Sequence, residues 1–574
     1  MKQLGVLDSA FINLEHPNTP QQIGGLGIYD PSTAPGGFVR FKQVIESFER
    51  RLNKFPMFRS RLVHTPGDID RPYWVADANF DVEFHIRHIA LPQPGDWRQL
   101  CILVSRIHAR PLDMARPLWE AYIIEGLDNI DGVPPGGFAI YTKMHHSLVD
   151  GAGGASFMSA IHDLEPDPVA IEEAAEPILV DAQPSRLHLL SNAAINNVKN
   201  TAGLAKGSVN LVRDLGKLAL DIRREKVPAP SIQAPKTRFN QPVGPYRVFD
   251  AAEFDLEDVK FIKNAANAKV NDVVLTIVGE GMRRYLESKG EAPEEGSLAA
   301  NVPINLRTRR GETGDNNQVG AVFISMRTDV NRLFERVQAV NEASREALEF
   351  GEKSPLSDAL KAAGVLAPVL TKPLVRTCIN RQMGQMMPAS VSTVVSNVAG
   401  PPFPLYSAGA EMVRYYGMGL LTPSIGLFHL CFTASGVMTL SFLADRDLMP
   451  DPAFYRECLN SAYQDLLAEA RTAQAKIDKQ SAAKSAAPKK AAAKKATPKK
   501  AAVKKAAVKK PAAKKAVAKK SVAKKSVAKK AAAKKAVANA PTSAASDSTT
   551  VDASQSAGKV ANGAAEMTQG SLIN

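Results

Sequence analysis

Cysteine is scarce: the 574-residue chain has four, Cys101, Cys378, Cys431 and Cys458, and no Cys-x-x-Cys pair. That excludes a disulfide framework and suits a reducing cytoplasm. Histidine is sparse too, ten in all, and the sequence offers no set of three or four Cys, His and carboxylate residues at metal-ligand spacing. A metal site is therefore not expected. The first residues, Met1 to Asp8, lack the apolar segment of a secretory signal, so none is expected. Residues 415–444 hold thirty positions without charge, long enough on length alone to cross a membrane. Pro423, four glycines and His429 interrupt them, and the run divides into strand-like pieces at 426–433 and 437–444. These are expected to be buried sheet strands, with His429 as a core histidine.

Charge is lacking where the chain total suggests plenty. The net charge is +14, but residues 481–574 contain 22 lysines against 3 acidic residues, a net of +19, which leaves the first 480 residues at −5. The body is thus mildly acidic and the basicity belongs to the tail. Residues 486–535 are ten five-residue repeats ending in Lys-Lys. A five-residue period turns about 140° per repeat on a helix, so no face collects the charge. Such a segment cannot bury a core and repels itself, which predicts disorder from about residue 476 onward. Its lysine pairs suit a polyanion, nucleic acid or anionic lipid, bound with steep salt dependence.

What is present is a concentrated motif. Residues His145-His146-Ser147-Leu148-Val149-Asp150-Gly151 read H-H-x-x-x-D-G. The preceding run, Gly137 to Lys143, has strand composition, and Ala155 to Leu164 has helical spacing. The histidines therefore sit where a strand ends and a loop begins, a place from which a rigid scaffold presents side chains to a ligand. Neutral imidazole accepts a proton near physiological pH, so a hydroxyl that loses its proton to His146 while attacking a carbonyl gives acyl transfer. Asp150 would fix the loop and Gly151 would let the backbone turn. For a bare His-His pair the plainer reading, surface or satisfied core residues, carries more weight; the seven-residue pattern reverses that balance.

That signature resembles the CoA-dependent acyltransferase superfamily. Further segments are similar to the bacterial wax ester synthase/diacylglycerol acyltransferase family: Leu7 to Phe11 at the start, Arg116-Pro117-Leu118-Trp119-Glu120, Asn271-Asp272-Val273-Val274-Leu275, Asn301 to Arg307, and Ser396 to Pro401. Ala399 departs from that family's pattern, which has proline there, and a D-F-G-W-G segment of the peptide-synthetase condensation type is absent. The resemblance covers roughly residues 1–475. It implies an α/β fold of two chloramphenicol-acetyltransferase-like halves with the active site in a channel between them. It implies transfer of a long-chain acyl group from acyl-CoA, a co-substrate rather than a cofactor, to diacylglycerol or a fatty alcohol. His146 would be the base, His145 would shape the site, and Asn271 would hold a carbonyl or oxyanion as readily as it would cap a helix. Pro117, Leu118, Trp119 and Asp272 would contribute to substrate binding, although a tryptophan packed in the core is at least as plain a reading of Trp119. The implied location is the cytoplasm, peripheral to the inner membrane or to lipid bodies. The rival readings are a superfamily member acylating another alcohol or amine, and a non-catalytic lipid-body or nucleoid tether.

The expected organisation is a first half over 1–180, a helical crossover over 181–245, a second half over 246–475 and a disordered tail over 476–574. Gly37 to Phe55, Trp97 to Arg110, Asp255 to Ala266 and Ala453 to Ala475 have helical spacing. Arg61 to His64 and Tyr73 to Val75 read as paired strands, and Leu118 to Glu125 as a strand leading to the histidines. The crossover helix carries an amphipathic stripe, Leu211, Leu215, Leu218 and Ile222, whose expected use is packing on the protein rather than on a membrane surface.

Overall fold

A computed structural model of the chain describes residues 1–52, 55–148, 158, 161–167, 183–224, 234–305, 319–353, 368–386, 389, 391–401 and 403–486. The elements of the first half are β1 (Lys2–Gln3), α1 (Val6–Leu14), β2 (Gln22–Asp30), α2 (Phe41–Leu52), β3 (Ser60–Val63), β4 (Tyr73–Ala76), α3 (Val82–His85), β5 (Ile86–Ala90), α4 (Trp97–Ala109), β6 (Trp119–Glu125) and β7 (Phe138–His145). A single 38-residue helix, α5 (Arg186–Arg223), forms the described crossover. Then come β8 (Arg247–Asp255), α6 (Leu256–Ala265), α7 (Val270–Ser288), β9 (Ala299–Asn305), β10 (Val319–Ser325), α8 (Leu333–Lys353), α9 (Pro368–Asn380), β11 (Thr393–Ala399), β12 (Tyr406–Ser407), β13 (Ala410–Met418), β14 (Leu427–Ala434), β15 (Val437–Asp445) and α10 (Pro452–Ala486).

Two six-stranded sheets organise the body, in the orders β12-β13-β2-β7-β6-β5 and β10-β9-β11-β14-β15-β8; β1, β4 and β3 form a third, small sheet. All eight residues of β7 are buried, as a strand flanked by β2 and β6 and covered on both faces must be. Burial of Lys143 in that strand is met by the carbonyls of Ile107 and Arg110 at 3.2 and 3.0 Å and by the Glu120 carboxylate at 3.2 Å. Gly24 of β2 has no side chain because the Tyr141 hydroxyl lies where one would be, 2.6 Å from an ideal Cβ. Helix starts follow local rules. Asp96 and Gln99 make a reciprocal capping box on α4, and the Asp255 carboxylate accepts the Glu257 and Asp258 amides at the start of α6.

The second sheet has one face packed on α6, α7, α8 and α10, a core that includes Val273, Val278, Val337, Leu440 and Leu466. Its other face meets the first half through a shared core containing Leu26, Val104, Tyr141, Phe249, Val394 and Phe428. One expectation needs correction here. The division near residue 246 is not clean, because β12 and β13 leave the second half and pair in the first sheet, β13 along β2 from Glu411–Asp30 to Met418–Gly24. The reason is edge protection: β2 would otherwise present an open ladder at the seam, and β13 satisfies it. The tail boundary also moves, since α10 continues past residue 475 to Ala486, and the compact unit ends at Lys489. Residues 487–574, including all of the lysine repeats but Ala486, lie outside the described residues, as do 155–157 and 159–160 and the side chains of the stripe from Leu211 to Ile222.

The strands expected over 426–433 and 437–444 are β14 and β15, adjacent and antiparallel. His429 is fully buried among them, with Nδ1 near the Thr393 hydroxyl at 3.0 Å and Nε2 near the Tyr455 hydroxyl at 2.7 Å. Among the described residues, no helix is long and apolar enough to cross a membrane.

Candidate active site

The last residue of β7 is His145, and a one-turn 3-10 helix, His146–Leu148, begins immediately after it. The His145 amide donates to the Leu118 carbonyl at 2.9 Å, and the His146 amide donates to the Gln21 carbonyl at 2.8 Å. Neighbouring segments on both sides of β7 therefore fix where the strand ends.

The hydrogen bonds define the His145 tautomer. The Ser147 amide donates to His145 Nδ1 at 3.1 Å, and the Ser147 hydroxyl lies 2.7 Å from the same atom. Because a backbone N–H can only donate, Nδ1 is an acceptor, and the ring proton sits on Nε2. Nε2 then donates to Glu15 Oε2 at 3.2 Å. With both nitrogens engaged and the ring 1% exposed, His145 has no free atom for substrate.

His146 differs. Its ring stacks on Phe11 of α1, centroids 4.0 Å apart at 20°, and its Nδ1 is buried without a hydrogen-bond partner among the described residues. Burial, followed by the charge His145 would carry, lowers its pKa to about 4. The imidazole is thus neutral at physiological pH, as a proton acceptor must be. Phe11 and Glu15 are four residues apart on α1 and its end, so one helical face reaches both histidines.

The remaining predicted residues fall into three groups. Asp150 and Gly151 lie outside the described residues, as does Arg307. Asn271 is half-buried in the first turn of α7. Asp272 is fully buried and holds the helix to its neighbours: Oδ2 accepts the Lys269 amide at 2.9 Å and the Asn341 amide group at 2.6 Å, and Oδ1 accepts the Ser344 hydroxyl at 2.8 Å. That geometry is a helix-start tie between α7 and α8 rather than a substrate contact.

Pro117, Leu118 and Trp119 are buried as well. Trp119 stacks on His85 with centroids 4.7 Å apart, and its indole N–H donates to the Phe58 carbonyl at 2.7 Å. A fully buried ring with its one donor satisfied is core packing, one of the two readings the sequence left open for Trp119. The segment instead serves the site through the Leu118 carbonyl.

Sequence reasoning missed Phe11, Glu15, Gln21 and Ser147. The only signal was the likeness of Leu7 to Phe11 to a family opening. Nothing in linear order ties α1 to a loop more than a hundred residues later.

A cleft of 470 Å³ is lined in part by His16, Asn18, Thr19, Cys378, Gln385 and Ser424. Its 16–19 wall runs between Glu15 and Gln21, the two residues that hold the histidines. A second cleft, of 930 Å³, lies at the start of α4, where the Trp97 indole donates to Asp250 at 2.7 Å. Among the described residues, no group of three or more His, Cys, Asp or Glu residues could hold a metal ion.

Residues 4–274 match the model of the wax ester synthase/diacylglycerol acyltransferase catalytic domain, and residues 316–467 match that of the C-terminal domain. A Mycobacterium tuberculosis protein that bears the name "Probable diacyglycerol O-acyltransferase tgs2" is 30% identical over 467 residues, covering 80% of this chain and 97% of the relative. Another M. tuberculosis protein named a diacylglycerol O-acyltransferase is 33% identical over 424 residues, 72% of this chain and 88% of its own. The solved wax ester synthase/diacylglycerol acyltransferase of Marinobacter aquaeolei superposes with a TM-score of 0.56 at 25% identity, covering 82% of this chain and all of that one. With the family models matching both halves, the chain belongs to the wax ester synthase/diacylglycerol acyltransferase family of acyltransferases.

Proposed function

We propose that the protein moves a long-chain acyl group from acyl-CoA to the hydroxyl of diacylglycerol or a fatty alcohol, with His146 as the general base. The observation that carries this reading is the neutral, half-buried His146 ring, braced by Phe11 and not engaged in the bonds that occupy His145. In one ternary complex the acceptor O–H gives its proton to His146 as its oxygen attacks the thioester carbonyl. The tetrahedral adduct collapses, the C–S bond breaks, and the imidazolium returns the proton to the departing CoA thiolate. Ester and free CoA are the products, and no acyl-enzyme forms. Asn271 is the residue proposed to face the developing oxyanion, and Asp150 the one that fixes the loop.

The enzyme is proposed to work at a lipid surface, the inner membrane or a lipid body, because both product and acceptor are apolar. The basic tail is proposed as a polyanion tether. The test is thiol release from palmitoyl-CoA with dioleoylglycerol or hexadecanol as acceptor. His146→Ala should lower turnover at least about 10²-fold while the fold is kept, the contribution of a positioned general base. Near wild-type turnover in that variant would overturn the assignment.

A further inference from the structure

Glu15 has no part in the chemistry just described, yet it closes a ring around it. One of its oxygens, Oε2, accepts two donors: His145 Nε2–H at 3.2 Å and the Gln21 amide at 2.7 Å. The Gln21 carbonyl in turn accepts the His146 amide at 2.8 Å. The circuit runs from Glu15 to His145, along one peptide to His146, across to Gln21 and back to Glu15. Every link except that peptide is a hydrogen bond, and the Gln21 and His145 side chains are 2% and 1% exposed. Four residues earlier, on the same face of α1, Phe11 stacks on the His146 ring.

We propose that Glu15 is a positioning residue: it fixes the tautomer of His145 and, through Gln21, sets the attitude of the His146 ring. This rests on the reading of His146 as the base. The physical argument concerns alternatives. Without an acceptor at Oε2, the His145 Nε2–H and the Gln21 N–H both lose a buried partner. His145 can then rotate or exchange tautomer, which breaks its bond from the Ser147 amide. The 16–21 loop also loses its tie at the point where it holds the His146 backbone. A shift of about 1 Å in a reacting group is enough to cost on the order of 10²-fold in rate. Substrate binding is not addressed by any of these bonds, so the loss belongs in kcat.

The geometry also separates positioning from charge. Both bonds fall on the same oxygen, so a glutamine whose Oε1 takes that place satisfies both donors without the negative charge. An aspartate keeps the charge but is one methylene too short to reach them.

Steady-state kinetics with palmitoyl-CoA and dioleoylglycerol on Glu15→Gln, Glu15→Asp and Glu15→Ala, with far-UV circular dichroism and thermal melts as fold controls, test this. Glu15→Gln should keep kcat within about 3-fold of wild type. Glu15→Asp and Glu15→Ala should lose about 10- to 100-fold in kcat with both KM values within 2-fold. If Glu15→Ala fails to fold, the contrast of Gln with Asp still decides. Equal loss in Gln and Asp, wild-type kcat in Asp, or an effect confined to KM would overturn the proposal. His146→Ala run in parallel keeps the two readings apart. An inactive His146→Ala beside a fully active Glu15→Asp would refute only the role of Glu15, and an active His146→Ala would refute the base itself.

Discussion

Lowering the pH from 7.5 to 5 should destabilise this protein steeply, and the histidines set the amount. Burial holds four imidazoles well below the usual 6.5: His108 to about 3, His146 to about 4, His162 to about 4 and His429 to about 3. Three of them are bonded as neutral rings. His162 has the Tyr29 hydroxyl at 2.6 Å on Nε2 and the Met158 carbonyl at 2.7 Å on Nδ1, and His108 and His429 have similar partners. Above pH 6.5 each ring is neutral in the folded and the unfolded chain, so there is no penalty. Below 6.5 the unfolded chain takes up a proton and the folded one does not, which costs about 1.4 kcal/mol per pH unit for each ring. The loss grows until the pH reaches the folded value near 4 or 3. At pH 5 it is about 2 kcal/mol per imidazole and about 8 kcal/mol for the four, against roughly 5–15 kcal/mol for a typical folded protein. Carboxylates add little in this window. Glu280, held to about 2 by Arg283, Arg284 and Arg336 against its own burial, loses its contribution only as the pH falls below about 4.5. Urea unfolding followed by circular dichroism at half-unit steps from pH 7.5 to 5 measures the slope, which should approach four protons. A slope below two protons would refute the buried neutral state of these rings. A melt-corrected pH–rate profile should show no loss of base function down to about pH 5, since His146 titrates near 4.

Further outcomes follow from the same contacts. Asp272→Ala strands the donors of Asn341 and Ser344 and removes charge at a helix start, so chemical denaturation should show a loss of about 3 kcal/mol with unchanged KM values for acyl-CoA and acceptor. Trp119→Phe keeps most of the buried volume and should cost about 1 kcal/mol for the lost bond to the Phe58 carbonyl, again with acyl-CoA KM unchanged; a selective rise in that KM would return Trp119 to the substrate channel. Truncation after Lys489 leaves the compact unit whole and removes most of the lysine repeats. It should keep turnover while losing retention on DNA and on anionic vesicles at low salt, and unchanged retention would place the polyanion site elsewhere.

The histidine motif, the strand before it, the caps of α4 and α6 and the charge divide between body and tail are local properties, and the sequence alone determined them. Alternation and apolar runs specify a strand, a carboxylate at a helix start specifies a cap, and a lysine every few residues prevents a core. Two histidines side by side announce chemistry without stating which of them is free to perform it. Only the tertiary structure decided that. His145 is taken up by Ser147 and Glu15, whereas His146 is enclosed against Phe11, partners that lie far away in the chain or that sequence gives no reason to single out. The same holds for Asp272, which reads as a site residue by its place in a motif and ties two helices, and for Trp119, for which the sequence left a core ring and a site residue both open. It holds for β12 and β13, whose composition suits a strand in either sheet. A strand's residues specify that it must pair, but which open edge it meets depends on where the other strands leave one.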